Sequence, residues 1–178
     1  MSEEDDMQYC VLQATVTDFR PPDSLIEFLL SRATYPMFRG RPTKARKVLE
    51  LGKCYYWRQN HISEMPLELK EWAEAQGVGQ CNSVLVNIYE ETTNYIGWHC
   101  DTTRVLADGK VTSFSFALRP QDREKVLAVM EFKGLAPLDL VDGSRVEFDA
   151  IEHERDGIQH RVRKTLCPRL NFTFRCLK

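Results

Sequence analysis

Residues Asn82–Asp101 read NSVLVNIYEETTNYIGWHCD, and the architecture can be worked out from them in both directions. The first eight form an apolar, β-branched run of the kind that makes a buried strand. The stretch closes on His99-Cys100-Asp101, in a chain with only four histidines. Side chains along a strand alternate between its faces, so residues two apart project to the same side. At a strand end His99 and Asp101 therefore place an imidazole beside a carboxylate, a pairing a metal ion can use. Cys100 projects the other way and is expected to pack, as free cysteines commonly do.

Downstream come VTSFSFAL, PLDLV, SRVEFDAI, HRVRKTL and RLNFTFRCL, short β-rich runs separated by turn signals. Asp108-Gly109 and Asp142-Gly143 carry the dipeptide favoured in tight hairpins. QDREKVLAVMEFKG fits a helix or a strand. Upstream, YCVLQATV reads as a strand. PPDSLIEFLLSRA reads as a helix, with Asp23 or Ser24 as N-cap and Leu25, Phe28 and Leu29 at helical spacing. MPLELKEWAEAQG reads as a second helix, with Pro66 near its first turn and Gly77 as C-cap. Strands following one or two helices predict an α+β, mainly β fold: a β-sandwich or a jelly roll, with N-terminal helices packed outside.

The 178 residues suit one domain over 1–178: an acidic tail at 1–8, a basic and aromatic stretch at about 36–63, and the β-rich core at about 82–178. Apolar residues make up 43%, charged residues 28%, and the net charge is −2, which excludes a strongly basic nucleic-acid coat protein. No apolar run approaches the ~18 residues of a membrane span. MSEEDDMQ lacks the apolar region of a secretory signal. The six cysteines form no C-x-x-C pair and are expected to be reduced thiols. A cytoplasmic or nuclear monomer with no membrane contact is expected.

A third metal ligand would come from a downstream histidine. His153 lies in IEHERDG, which reads as a charged, solvated turn; His160 opens the alternating run HRVRKTL, where a strand would fix its direction, and is favoured. His61, in RQNHIS, is expected to face solvent or substrate. In RLNFTFR, Arg169, Asn171, Thr173 and Arg175 fall on one face while Leu170, Phe172 and Phe174 face a core. Two guanidiniums, an amide and a hydroxyl along an interior strand are costly to leave unpaired. A dicarboxylate would satisfy them, because the arginine fork matches carboxylate geometry. Two histidines and one carboxylate form the facial set that leaves positions open on a non-haem Fe(II) ion.

With Asn87-x-Tyr89, His99-x-Asp101 and Arg169-x-Asn171-x-Thr173-Phe174-Arg175 in this order, the sequence resembles the AlkB family of Fe(II)- and 2-oxoglutarate-dependent dioxygenases, from about residue 36 onward. The resemblance implies a double-stranded β-helix (jelly-roll) core. It implies Fe(II) on His99, Asp101 and His160. It places 2-oxoglutarate against Arg169, Tyr89 and Asn171, with Thr173 on the same face and Asn87 and Arg175 towards the metal. It further implies O2-dependent oxidation of an N-methyl group, releasing succinate, CO2 and formaldehyde.

The family's nucleic-acid members carry a substrate lid ahead of the core, which corresponds here to about 36–63. Arg39, Arg41, Lys44, Arg46 and Lys47 beside Tyr55, Tyr56, Trp57 and Arg58 supply cations for phosphates and aromatics for an unstacked base. The expected substrate is therefore methylated RNA or DNA, in single-stranded form. One departure bears on the base: HCDTTRV has Thr102, Thr103 and Arg104 where many members carry an acid that contacts it, and Thr103 could still hydrogen-bond a methylated base. The alternative is the same chemistry on a protein or small molecule. A non-catalytic nucleic-acid-binding module ranks last, since every ligand residue is present.

Overall fold

The computed structural model describes residues 12–55 and 60–178. Along the chain the elements are β1 (Gln13–Val16), α1 (Asp23–Arg32), β2 (Met37–Phe38), β3 (Arg41–Pro42), β4 (Lys47–Gly52), β5 (His61–Ile62), α2 (Leu67–Ala75), β6 (Ser83–Tyr89), β7 (Ile96–His99), β8 (Leu106–Ala117), a 3-10 turn (Pro120–Asp122), β9 (Ala128–Phe132), β10 (Leu138–Leu140), β11 (Ser144–Asp149), α3 (Ala150–Arg155), β12 (His160–Val162) and β13 (Arg169–Leu177). A seven-stranded sheet in the order β1-β11-β8-β13-β6-β4-β5 faces a four-stranded sheet in the order β10-β9-β12-β7. This is the expected jelly roll.

Alternation along the central strands divides two cores. Val84, Val86 and Ile88 of β6, Phe114 and Phe116 of β8, and Leu170, Phe172 and Phe174 of β13 point outward and are covered by α1 and α2. Trp72 of α2 is the keystone, with Phe114, Phe172, Phe116 and Phe174 all within 6.1 Å of its ring centroid. The indole N–H donates to the Phe19 carbonyl at 3.1 Å, so the ring is buried without a stranded donor. The opposite faces of the two sheets enclose a second core, built on Val111, Met130, Phe132, Val146, Phe148 and Val162. The polar face of β13 opens into that interior.

The structure departs from the sequence reading in several places. Pro22, rather than Asp23 or Ser24, occupies the N-cap of α1; Asp23 lies in the first turn, and Ser24 donates to Glu68 of α2 at 3.0 Å. Gly77 follows the C-cap Gln76 with φ +71°, a conformation that favours glycine. Asp142-Gly143 makes a turn, but Asp108-Gly109 lies within β8. There β8 spends six residues, Leu106 to Val111, where β13 spends three, Arg175 to Leu177, so the dipeptide forms a bulge. The ambiguous segment resolves as the 3-10 turn followed by β9. IEHERDG is helical: Asp149 accepts the Ile151 and Glu152 amides at 2.8 and 3.0 Å, and the helix it caps turns His153 inward to 2% exposure. His153 is therefore a core residue, not a solvated one. Of YCVLQATV, Gln13–Val16 is a strand, and the residues before Leu12 lie outside the described ones.

The stretch 36–63 is divided in two. β2 and β3 form an exposed hairpin, whereas β4 lies inside the large sheet, antiparallel to β6 and parallel to β5. Half of the expected lid thus extends the core sheet.

Candidate active site

His99 ends β7, and His160 begins β12 directly opposite it in the small sheet. Asp101 follows β7 by two residues. One ligand atom from each of the three lies within 4.8 Å of the others. The Asp101 Oδ1 atom is 3.7 Å from His99 Nε2 and 3.8 Å from His160 Nε2. The three-dimensional arrangement thus brings together the triad expected from sequence, with His160 and not His153 as the third member.

Each donor is prepared by its surroundings. His99 Nδ1 lies 2.8 Å from the Gly97 carbonyl, which can only accept, so Nδ1 carries the proton and Nε2 keeps its lone pair. Burial pushes the His160 imidazole down to about 4, so it is neutral at physiological pH. For Asp101, burial works to raise the pKa, but Arg175 and the two histidines outweigh it and hold the carboxyl below its ordinary value. Arg175 makes that pairing from β13: Nη2 donates to Asp101 Oδ2 at 2.8 Å and Nε at 3.3 Å. One carboxylate oxygen is thereby held and the other left towards the histidines.

The triad borders a cavity of about 420 Å3 that runs inward to the polar face of β13. Strand register sets its floor. Arg169, Asn171 and Arg175 stand across from Tyr89, Asn87 and Ser83 of β6. Asn171 is locked in place: its amide donates to Ser113 Oγ at 2.7 Å and to the Phe114 carbonyl at 2.8 Å, and its oxygen accepts from Asn87 and Thr173, each at 3.1 Å. Asn171 and Thr173 thus act as scaffold for the floor.

Arg169 is different. It is 1% exposed, its guanidinium lies 3.9 Å from the Tyr89 ring centroid, and Nη1 donates to Ser115 Oγ at 3.0 Å. Its Nε and Nη2, and the Tyr89 hydroxyl, are buried without a hydrogen-bond partner among the described residues. Burial lowers the Arg169 pKa, yet a guanidinium stays charged. An unpaired buried cation costs several kcal/mol in general, so this end of the cavity is built for an anion.

The substrate residues expected from sequence scatter. Arg41 and Lys44 are exposed on and after the hairpin. Arg46 turns into the cavity, where Nε donates to Asn87 Oδ1 at 2.6 Å. Lys47 pairs with Glu90 at 2.8 Å. Tyr55 forms part of the cavity wall: its hydroxyl receives the Thr102 N–H at 2.6 Å, and the Arg175 guanidinium stacks 4.2 Å from its ring centroid. Thr103 donates to Glu154. Tyr56, Trp57 and Arg58 lie outside the described residues. Away from the cavity, the His61 ring bonds the Gly52 carbonyl at 2.6 Å. Cys100 is half-buried, with Sγ 3.7 Å from the Ile158 carbonyl, consistent with a packing role.

No protein-family model and no curated protein sequence matches the chain. Solved structures do. A prolyl-4-hydroxylase of Pseudomonas putida aligns with a TM-score of 0.60 at 12% identity, over 97% of this chain and 96% of its own. The viral collagen prolyl hydroxylase of Paramecium bursaria Chlorella virus-1, solved with 2-oxoglutarate, aligns with a TM-score of 0.53 at 12% identity, over 94% of this chain and 96% of its own. The chain shares the fold of these hydroxylases.

The donor set and the cavity fit Fe(II), 2-oxoglutarate and O2. Two imidazoles and a carboxylate suit Fe(II) and would leave positions for a chelating 2-oxo acid and for O2. The unpaired Arg169 donors and the Tyr89 hydroxyl suit the far carboxylate of that acid. Among the described residues, no helix is long and apolar enough to cross a membrane.

Proposed function

We propose that the protein is an Fe(II)- and 2-oxoglutarate-dependent oxygenase that oxidises a C–H bond of a polypeptide or small molecule. One observation carries the reading: a His99-Asp101-His160 triad and the unpaired donors of a buried arginine open onto the same cavity. Fe(II) and 2-oxoglutarate, when bound, supply the oxidation, with O2 consumed and succinate and CO2 formed. The chain's residues prepare for it. Arg175 holds Asp101 in its ionised, ligating form. Gly97 fixes the tautomer of His99. Arg169 and Tyr89 orient the cosubstrate by its far end, and Val111, Met130, Phe148 and Val162 keep water from the inner wall.

The substrate class rests on how the lid residues are spent. Arg46, Lys47, Tyr55 and Thr103, each suited by type to phosphate or base contacts, are engaged within the fold. The aligned prolyl hydroxylases add weight to a non-nucleic-acid substrate. A second reading is AlkB-type removal of an N-methyl group from single-stranded RNA or DNA. It is favoured by the exposed Arg39, Arg41 and Lys44 on and after the β2–β3 hairpin.

Succinate and formaldehyde formation would be followed with Fe(II), 2-oxoglutarate and two pools: a peptide library and methylated oligonucleotides. Peptide mass gain of one oxygen that disappears in Asp101→Ala supports the main reading. Loss of a methyl mark with formaldehyde release, equally dependent on Asp101, replaces it with the second. Succinate formation unchanged in Asp101→Ala would remove the oxygenase reading itself.

A further inference from the structure

Among the described residues, the cavity is lined by three guanidiniums and one acid. Arg175 is spent on Asp101, the one acidic residue among those described in the cavity lining. Arg169 has unpaired donors beside Tyr89. The third, Arg46, immediately precedes β4. Val48 of β4 stands across from Asn87, and alternation sends Arg46, Val48 and Glu50 to the interior face while Leu49 and Leu51 join the core under the helices. The backbone around Arg46 is fixed from the β6–β7 connection: Asn94 donates to the Lys44 carbonyl at 3.1 Å and the Tyr95 amide to the Ala45 carbonyl at 3.0 Å. These bonds fix the backbone from which Arg46 reaches into the cavity.

Its Nε is used on Asn87, and among the described residues its two terminal nitrogens have no acceptor. It feels the field of Tyr89, and its own charge disfavours the ionised form of Arg169. Two like charges held around one tyrosine in the same cavity repel each other, and among the described residues no carboxylate lies between them. A bound anion would turn that repulsion into a pair of attractions.

We infer that Arg46 and Arg169 form a two-arginine clamp on the distal carboxylate of 2-oxoglutarate, making Arg46 a determinant of cosubstrate affinity and selectivity. The clamp rests on the oxygenase reading. Arg169 and the Tyr89 hydroxyl hold the carboxylate from the β13–β6 floor, and Arg46 closes on it from β4. Arg46 thereby belongs to cosubstrate binding and not to phosphate contacts in a lid.

The test is binding, read by calorimetry and water-proton relaxation with Mn(II) in place of Fe(II). The ligands are 2-oxoglutarate and 2-oxopentanoate, which lacks the distal carboxylate. Arg46→Gln should weaken 2-oxoglutarate by about ten- to a hundredfold, the range of lost charge-assisted hydrogen bonds, and 2-oxopentanoate by less than about threefold. Arg46→Lys should recover part of the loss, having the charge without the fork. Mn(II) affinity should stay unchanged in both. Equal weakening of the two ligands would overturn the clamp, because Arg46 would then act elsewhere than on the distal carboxylate. Unchanged 2-oxoglutarate binding in Arg46→Gln, alongside a loss in Arg169→Gln, would overturn the clamp and leave the oxygenase reading standing. Wild-type protein that binds Mn(II) but not 2-oxoglutarate would overturn both.

Discussion

Replacing Arg175 with methionine tests how the metal carboxylate is prepared. The pair it breaks is buried on both sides, with each side chain 5% exposed, and it uses two hydrogen bonds to the same oxygen of Asp101. Methionine keeps much of the stem that packs near Tyr55 but removes the charge. Removing one partner of a buried ion pair costs about 3–5 kcal/mol, because the other charge is left uncompensated. For a chain of this size that is a fall in melting temperature of roughly 10 °C. Asp101 would relieve part of the cost by taking a proton, since burial, unopposed by Arg175, raises its pKa. A ligand carboxylate that has lost its orienting partner should bind Mn(II) about 10- to 100-fold more weakly. Bound metal should restore part of the lost stability, because it returns a positive charge to the site. The double variant Arg175→Met, Asp101→Asn should recover stability without recovering metal binding. Calorimetric titration with Mn(II) and melting curves with and without the ion read all of these. An Arg175→Met protein that binds Mn(II) as wild type does and melts within about 2 °C of it would refute the reasoning.

Three further outcomes are expected. His160→Ala should abolish Mn(II) binding while His153→Leu preserves it, and His153→Leu should be neutral or stabilising because both ring nitrogens of His153 are buried without partners among the described residues; titration and melting of the two variants check this. The folded pKa of His160, about 4, lies below its ordinary 6.5, so the unfolded chain takes up the proton first and the metal-free fold loses stability as pH falls between those values, by about 2 kcal/mol from pH 7 to pH 5. Urea unfolding at the two pH values should show that loss, reduced in His160→Gln. Trp72→Ala should cost about 3–5 kcal/mol, since it empties the space between α2 and four phenylalanines, without changing Mn(II) affinity in the protein that remains folded.

What could be read in advance follows from the range over which each signal acts. His99 and Asp101 are two residues apart, and the faces of RLNFTFR alternate, so strand geometry alone placed those side chains. His153 was misread because its fate depends on Asp149, a cap residue, converting a charged stretch into a helix whose inner side meets Phe148. Arg46 sits in a run of cations that reads as surface, and only the pairing of β4 with β6 turns it inward. A faint signal was present: Lys47-Val48-Leu49-Glu50-Leu51 has strand character, which would have put Arg46 on the same face as Val48. Asp108-Gly109 has hairpin chemistry, but the neighbouring strand β13 accommodates it as a bulge. For Arg46 and for Asp108-Gly109 a partner distant in sequence decided the outcome, and no local pattern names that partner; for His153 the decision lay with a cap only four residues away.

The position of β13 has a consequence for how the protein is made. The strand lies between β8 and β6, and its Asn171 is 84 residues from the Asn87 it pairs with. During synthesis, at about 5–20 residues per second, β6 and β8 wait several seconds for the strand that joins them. Throughout that interval each presents an open edge beside the phenylalanines and valines that will later lie under Trp72. A nascent chain stalled before Arg169 is therefore expected to be held by chaperones or to aggregate, and not to persist as a smaller folded unit. Because Arg169 and Arg175 arrive on that same strand, completion of the sheet and arrival of the site's two floor cations are one event, so no partly built chain could bind cosubstrate.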